Sequence, residues 1–176
     1  MTKKLTFIAL YTAVATIMHY LEGLLPSFFP FAPGVKLGLA NIVGLIALFT
    51  LDKPSAYIIV TARCVLGALF GGNLFSLAYS LTGALVSLTG QIVALKFLFP
   101  KVTVVGISVI GAMLHNLTQL TVASIVVWTN LLSYLPLMML TGVLTGIVVG
   151  LITRFTVLAL PSSLYLTERK TDEKSN

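Results

Sequence analysis

The residues able to do chemistry in this chain are few, and they sit where an apolar sequence least tolerates them. Arg63 stands inside TARCVLGALF, His19 and Glu22 inside ATIMHYLEGLL, and His115, Asn116 and Gln119 inside GAMLHNLTQL. Lys36, Asn41 and Asn73 lie within or beside other apolar runs. An arginine in a lipid-buried helix costs roughly 2.5 to 3.5 kcal/mol to insert unless it reaches water or a counter-charge, so such a residue faces a cavity or a partner. Two readings of Arg63 stay open. It forms a structural ion pair, with Glu22 as the acid, or it joins Lys36 in holding an anionic solute, since a guanidinium offers a fork of donors that matches carboxylate or phosphate. A helix that carries His19 and Glu22 places Tyr11, Ala15, His19 and Glu22 along one stripe. His115 and Gln119 are four apart with Asn116 adjacent, and buried polar groups of this kind need internal partners, in a hydrogen-bond network or a binding site.

The missing chemistry is equally informative. Asp52 is the sole acidic residue between Glu22 and Glu168, so no paired carboxylates stand ready for magnesium-dependent diphosphate chemistry, and no glycine-rich loop with lysine is present for ATP hydrolysis. The two histidines fall on different helices without local ligand spacing, so no metal site is expected. Cys64 is the only cysteine; it excludes an intrachain disulfide and reads as a small buried apolar residue. The chain is therefore expected not to be an enzyme and to hold no cofactor.

The elements that position these groups follow from composition. Of 176 residues, 57% are apolar and 9% charged, with mean hydropathy +1.03, more apolar surface than a soluble domain can hide. A helical crossing takes about 20 residues. The apolar runs predict helices over Leu5–Leu24, Val35–Phe49, Pro54–Phe70, Leu74–Leu95, Val102–Val127 and Leu131–Thr153, the last bent at Pro136. The expected fold is an all-α integral membrane protein, a compact bundle of about six transmembrane helices over residues 1–160, followed by a polar cytoplasmic tail at 161–176. The opening resembles a signal peptide, with its basic start and apolar run, but no convincing cleavage region follows, and it is read as a retained first helix.

The net charge of +6 is a topology signal, not a nucleic-acid footprint. Lys3, Lys4, Lys53, Lys96, Lys101, Arg154, Arg169, Lys170 and Lys174 lie at the ends of apolar segments. Six crossings gather them on one side, which the positive-inside bias makes cytoplasmic together with both termini. The segment Pro26–Gly34 then faces outside, where Phe28, Phe29 and Phe31 make it dip into the membrane interface or fold over the bundle. Gly142, Gly146 and Gly150, spaced by four, form a smooth ridge for close helix packing, and Ala9 and Ala13 make a smaller pair of the same kind.

The segments KKLTFIALYTAVATIMHYLEGLLP, PGVKLGLANIVGLIALF, TARCVLGALFGG and GAMLHNLTQL resemble, in that order, a bacterial membrane family labelled heptaprenyl diphosphate synthase component I, also called the Gx transporter family. That family is similar to the substrate-binding S components of energy-coupling factor transporters. The resemblance implies a subunit of the bacterial cytoplasmic membrane that binds a vitamin, nutrient or cofactor precursor from outside. Its partners would be a transmembrane T component and two cytoplasmic ATPases, which use the ATP. It also implies a T-component contact at Ala9 and Ala13, and a solute site drawn from His19, Glu22, Phe28, Phe29, Phe31, Lys36, Asn41, Arg63, Asn73, His115, Asn116 and Gln119. Two other readings stay open. One is an autonomous carrier or channel; the other is a non-catalytic accessory subunit in prenyl diphosphate or quinone synthesis.

Overall fold

A computed structural model of the chain describes residues 2–24, 38, 40–71 and 74–160. Among these residues every regular element is helical: α1 (Thr2–Leu24), α2 (Asn41–Thr50), α3 (Lys53–Gly71), α4 (Leu74–Phe97), α5 (Val104–Val127) and α6 (Leu135–Ala159), with one 3-10 turn at Leu132–Tyr134. Helices suit this sequence because lipid offers no hydrogen bonds, so each segment must satisfy its own backbone. The helix starts are written locally. Asp52 Oδ1 accepts the Ser55 backbone N–H at 3.0 Å, capping α3, and Pro54 occupies its first turn, where a missing donor does no harm. Thr103 caps α5 by accepting the Gly106 N–H at 3.3 Å.

Two expected boundaries are corrected. Helix α2 does not run on from Val35: Gly38 has φ +85°, a left-handed conformation that glycine adopts freely and that interrupts a right-handed helix. The Asn41 N–H closes a turn on the Gly38 carbonyl at 2.9 Å. Nor does Pro136 bend α6. It stands in the first turn of that helix, where proline's fixed φ starts a helix without breaking a bond, and the apolar stretch past Arg154 continues α6 to Ala159.

Five helices are long and apolar enough to cross a membrane; α2, with ten residues, is the short sixth. The burial pattern is that of a protein dissolved in lipid. On α1 the inward face carries Thr12, Ala15, Thr16, His19 and Glu22, while Leu5, Leu10, Val14, Ile17, Leu21 and Leu24 point outward. Many hydroxyls in these helices bond back to their own backbone, Thr16 to the Thr12 carbonyl at 2.8 Å and Thr145 to the Thr141 carbonyl at 2.8 Å, so their donors are satisfied within the helix.

Short as it is, α2 is the centre of the bundle. It packs against α1, α3, α4 and α6, and every residue from Ile42 to Thr50 except Ile46 is buried. Around it Leu45, Leu48, Ile59, Val60, Leu88 and Ile107 form the main apolar core. A second cluster of Tyr79, Leu120, Ala123, Leu131 and Met138 joins α4 and α5 to the start of α6.

Successive helices run antiparallel. The Tyr11 hydroxyl meets Thr50 Oγ1 at 3.2 Å, that of Tyr57 meets Thr89 Oγ1 at 2.8 Å, and Lys4 Nζ reaches Asp52 Oδ2 at 2.5 Å. One end of the bundle therefore holds Lys3, Lys4, Lys53, Lys96, Lys101 and Arg154, which are all the described basic residues except Arg63.

The Lys4–Asp52 pair has a pH signature. The Lys4 hydrogen bond, then that from Ser55, brings the Asp52 carboxyl down from 3.8 to about 2. A carboxyl depressed on folding adds stability that is present above its unfolded value and lost as pH falls through the folded one. Both side chains are more than 40% exposed, so screening limits the pair to less than about 1 kcal/mol. Asp52→Asn is expected to lower the thermal midpoint slightly at neutral pH. The gap from the parent protein should close between about pH 4 and pH 2; a gap that stays constant over that range would contradict the assignment.

Candidate functional site

At the end of the bundle opposite those lysines, polar side chains from four helices converge on Arg63. The guanidinium belongs to α3, is 2% exposed, and reaches its partners across the bundle interior. Its Nη2 donates to Asn41 Oδ1 of α2 at 2.6 Å, and its Nη1 lies 3.5 Å from His19 Nδ1 of α1. Arg63 Nε is buried without a hydrogen-bond partner. Three positions beyond His19, Glu22 presents Oε1 to the Gly38 N–H in a short hydrogen bond, which ties the end of α1 to the entry of α2.

Glycines make the room. A Cβ on Gly67, one turn after Arg63, would stand 2.3 Å from Cδ2 and 2.7 Å from Nε2 of His19, so the imidazole lies directly on the α3 backbone. A Cβ on Gly83 of α4 would meet His115 Nδ1 and Gln119 Cγ, each at 3.0 Å. On its other side His115 faces Gly38, whose own Cβ would lie 3.3 Å from His115 Cδ2 and 2.9 Å from Asn41 Nδ2. Gly38 therefore brings α2, α1 and α5 together: its amide binds Glu22, and its bare α-carbon admits the Asn41 amide and the His115 ring.

Of the residues singled out from sequence, the structure gathers His19, Glu22, Asn41, Arg63 and His115 at this point, with Gln119 beside His115 on Gly83. Asn116 is turned elsewhere. Its Nδ2 donates to the Met138 carbonyl of α6 at 2.8 Å, and it packs over Gly142; it is a clamp between α5 and α6. Asn116→Ala is expected to cost about 1 kcal/mol of stability, the usual size of an interhelical hydrogen bond in a membrane bundle, readable as a lower thermal midpoint. Phe28, Phe29, Phe31, Lys36 and Asn73 lie outside the described residues.

Gly142, Gly146 and Gly150 all face α5: added Cβ atoms at Gly146 and Gly150 would come within 2.6 Å of the Cα atoms of Val109 and Val105. Ala9 and Ala13 stand exposed on the outer face of α1. Among the described residues no group of three His, Cys, Asp or Glu side chains gathers to hold a metal.

The reading from sequence missed Gly38 and Gly67 as parts of the site, and Gln91. Gln91 is buried in α4 against Gly111, where a Cβ would sit 2.2 Å from its Nε2. A glutamine inside an apolar helix is a visible signal. Two glycines facing histidines are not, because the pairing is made only when the helices come together.

Comparison with curated proteins and with solved structures finds no match. A family model described as heptaprenyl diphosphate synthase component I matches residues 11–156, from the middle of α1 almost to the end of α6, and so takes in the whole cluster around Arg63. That span is well over half of the 176 residues, and the chain belongs to the heptaprenyl diphosphate synthase component I family.

Proposed function

We propose that the chain is the membrane-embedded substrate-binding subunit of an energy-coupling factor type transporter, and that it imports a small nutrient or cofactor precursor. The observation that carries this reading is Arg63, a cation held inside a lipid-facing bundle by the side chains of Asn41 and His19. An intramembrane charge arranged in this way marks a solute pathway or site.

The basic end of the bundle is cytoplasmic by the positive-inside rule, so both termini are cytoplasmic and the cluster belongs to the outer half of a bacterial cytoplasmic membrane. The solute binds there unchanged, and the chain uses no cofactor and breaks no bond. Energy comes from two partner ATPases through a transmembrane T component. That component docks on the exposed face of α1 at Ala9 and Ala13, where small side chains permit close approach of another helix.

The family description favours one competing reading, a non-catalytic accessory subunit in prenyl diphosphate or quinone synthesis. Among the described residues the carboxylates are Glu22 and Asp52, held at opposite ends of the bundle and not paired for magnesium and diphosphate, so in that reading catalysis belongs to a partner. Affinity purification of the chain from its own membranes, with identification of stable partners, separates the two. A membrane scaffold with two ATPases is the expected result. A soluble prenyl synthase whose product formation depends on this chain would replace the transport reading.

A further inference from the structure

The turn between α5 and α6 is built differently from a turn that emerges into water. Most of its amides are answered within it. The Trp128 N–H bonds the Ile125 carbonyl at 3.4 Å, the Thr129 N–H the Ser124 carbonyl at 3.3 Å, and the Tyr134 N–H the Leu131 carbonyl at 3.0 Å. The Leu131 N–H donates to Ser124 Oγ at 3.0 Å and the Leu132 N–H to Asn130 Oδ1 at 3.1 Å. The Thr129 hydroxyl donates to the Val127 carbonyl at 3.3 Å. A loop in water leaves such groups to the solvent, whereas a segment that meets lipid must satisfy them itself. Charge is missing as well. Between Lys101 and Arg154 the sequence holds no Asp, Glu, Lys or Arg, and those two residues stand at the opposite end of the bundle.

The outward side of the turn is apolar. Trp128 is 94% exposed, and Ile125, Val127, Leu132 and Leu137 around it are exposed too. Trp128 also occupies a position that suits glycine: its φ of 54° ends α5 in the left-handed region, where a side chain is strained. The one tryptophan of the chain therefore stands where the backbone gains nothing from it, with an indole that touches little of the protein. Its height is equally telling. Helix α5 has 24 residues, about 36 Å of helix at 1.5 Å per residue, or about 34 Å across a membrane at a tilt of about 20°. With Lys101 exposed at its start, its far end lies just past a hydrocarbon layer about 30 Å thick.

We infer that the α5–α6 turn is submerged in the interface of the bilayer on the side away from the lysines, with the Trp128 indole seated among lipid glycerol and upper acyl groups as an interfacial anchor. Indole suits that layer, since its ring is apolar and its N–H still finds lipid oxygen. The turn has no charged residue by which a protein partner could recognise it, and its exposed side chains suit lipid. The anchor holds whichever function the Arg63 cluster serves, because it depends on α5, α6 and the turn alone.

The test is made on the parent protein, because Trp128 is its only tryptophan. The full chain is reconstituted in phosphatidylcholine vesicles and excited where tyrosine does not absorb, with Trp128→Phe as the blank. Two quenchers are compared: bromine on the lipid acyl chains, placed near the glycerol or near the methyl end, and aqueous iodide on both sides of the vesicle membrane. Bromine near the glycerol is expected to remove most of the emission, bromine near the methyl end clearly less, and iodide little. Strong iodide quenching would overturn the anchor, since the turn would then stand in water. Emission that neither quencher reaches would overturn it as well and assign the face to a second copy of the chain. Quenching that is stronger for bromine near the methyl end would place the indole inside hydrocarbon and remove it from the interface.

Discussion

Arg63→Gln is expected to lower the occupancy of bound solute by about 100-fold, against less than about twofold for Lys4→Gln. The contrast follows from where the two charges sit. Lys4 lies in an exposed pair with Asp52 at the far end of the bundle, where water screens it and a lost charge matters little. Arg63 is buried, and its removal deletes the one described cation of the interior while depriving Asn41 Oδ1 and His19 Nδ1 of the donor that orients them. Truncating one member of a buried, hydrogen-bonded charge contact typically costs 2 to 5 kcal/mol, and 100-fold is about 2.7 kcal/mol. Occupancy is read by mass spectrometry of small molecules co-extracted at matched membrane expression. Equal losses in the two variants would remove Arg63 from the site.

Gly146→Ala is expected to be among the most damaging single-methyl changes in the bundle. The new Cβ would come to 2.6 Å from Val109 Cα and 3.1 Å from Val109 N. Both are backbone atoms, so relief requires α5 to move bodily away from α6. Overpacking of this kind costs about 1 to 3 kcal/mol, which outweighs the gain of about 1 kcal/mol that alanine brings to a helix. The thermal midpoint should fall by about 4 to 8 °C. Gly142→Ala makes the comparison sharp. Its nearest neighbour is Asn116 Nδ2 at 3.1 Å, a side-chain atom whose displacement strains one hydrogen bond to Met138 and not the α5 backbone, and its midpoint should fall by less than about 3 °C. Equal midpoints for the two alanine variants would contradict the close approach of α5 and α6.

Much of this architecture was legible in the order of residues because lipid simplifies the problem. Long apolar runs admit one solution, the helix, and the basic residues at their ends, with Asp52 and Pro54 at one turn, mark where each helix stops and starts. The expectation that Arg63, His19 and Asn41 share a site came from the family resemblance, while physics required only that a buried cation find partners. Sequence could not supply the partners' identity. Whether Arg63 meets Glu22 or Asn41 depends on the rotation of three helices about their axes, and the hydrophobic pattern leaves that rotation nearly undetermined when the outside is also apolar. Gly38 shows the limit most clearly. In a run of apolar residues it reads as one more helical position, yet its positive φ keeps it out of α2 and its bare α-carbon seats Asn41 and His115. Asn116 failed in the other direction: adjacent to His115 in sequence, it sits 100° around the helix and serves α6 instead.

The most direct test of the central claim is native mass spectrometry of the full chain extracted gently from its own host membrane, recording the mass bound to the protein and the molecule released from it. A solute-binding subunit is expected to carry one small molecule that leaves chemically unchanged and is lost in the Arg63→Gln protein. A chain that arrives with no small molecule, bound to a prenyl synthase whose product depends on it, would contradict the account.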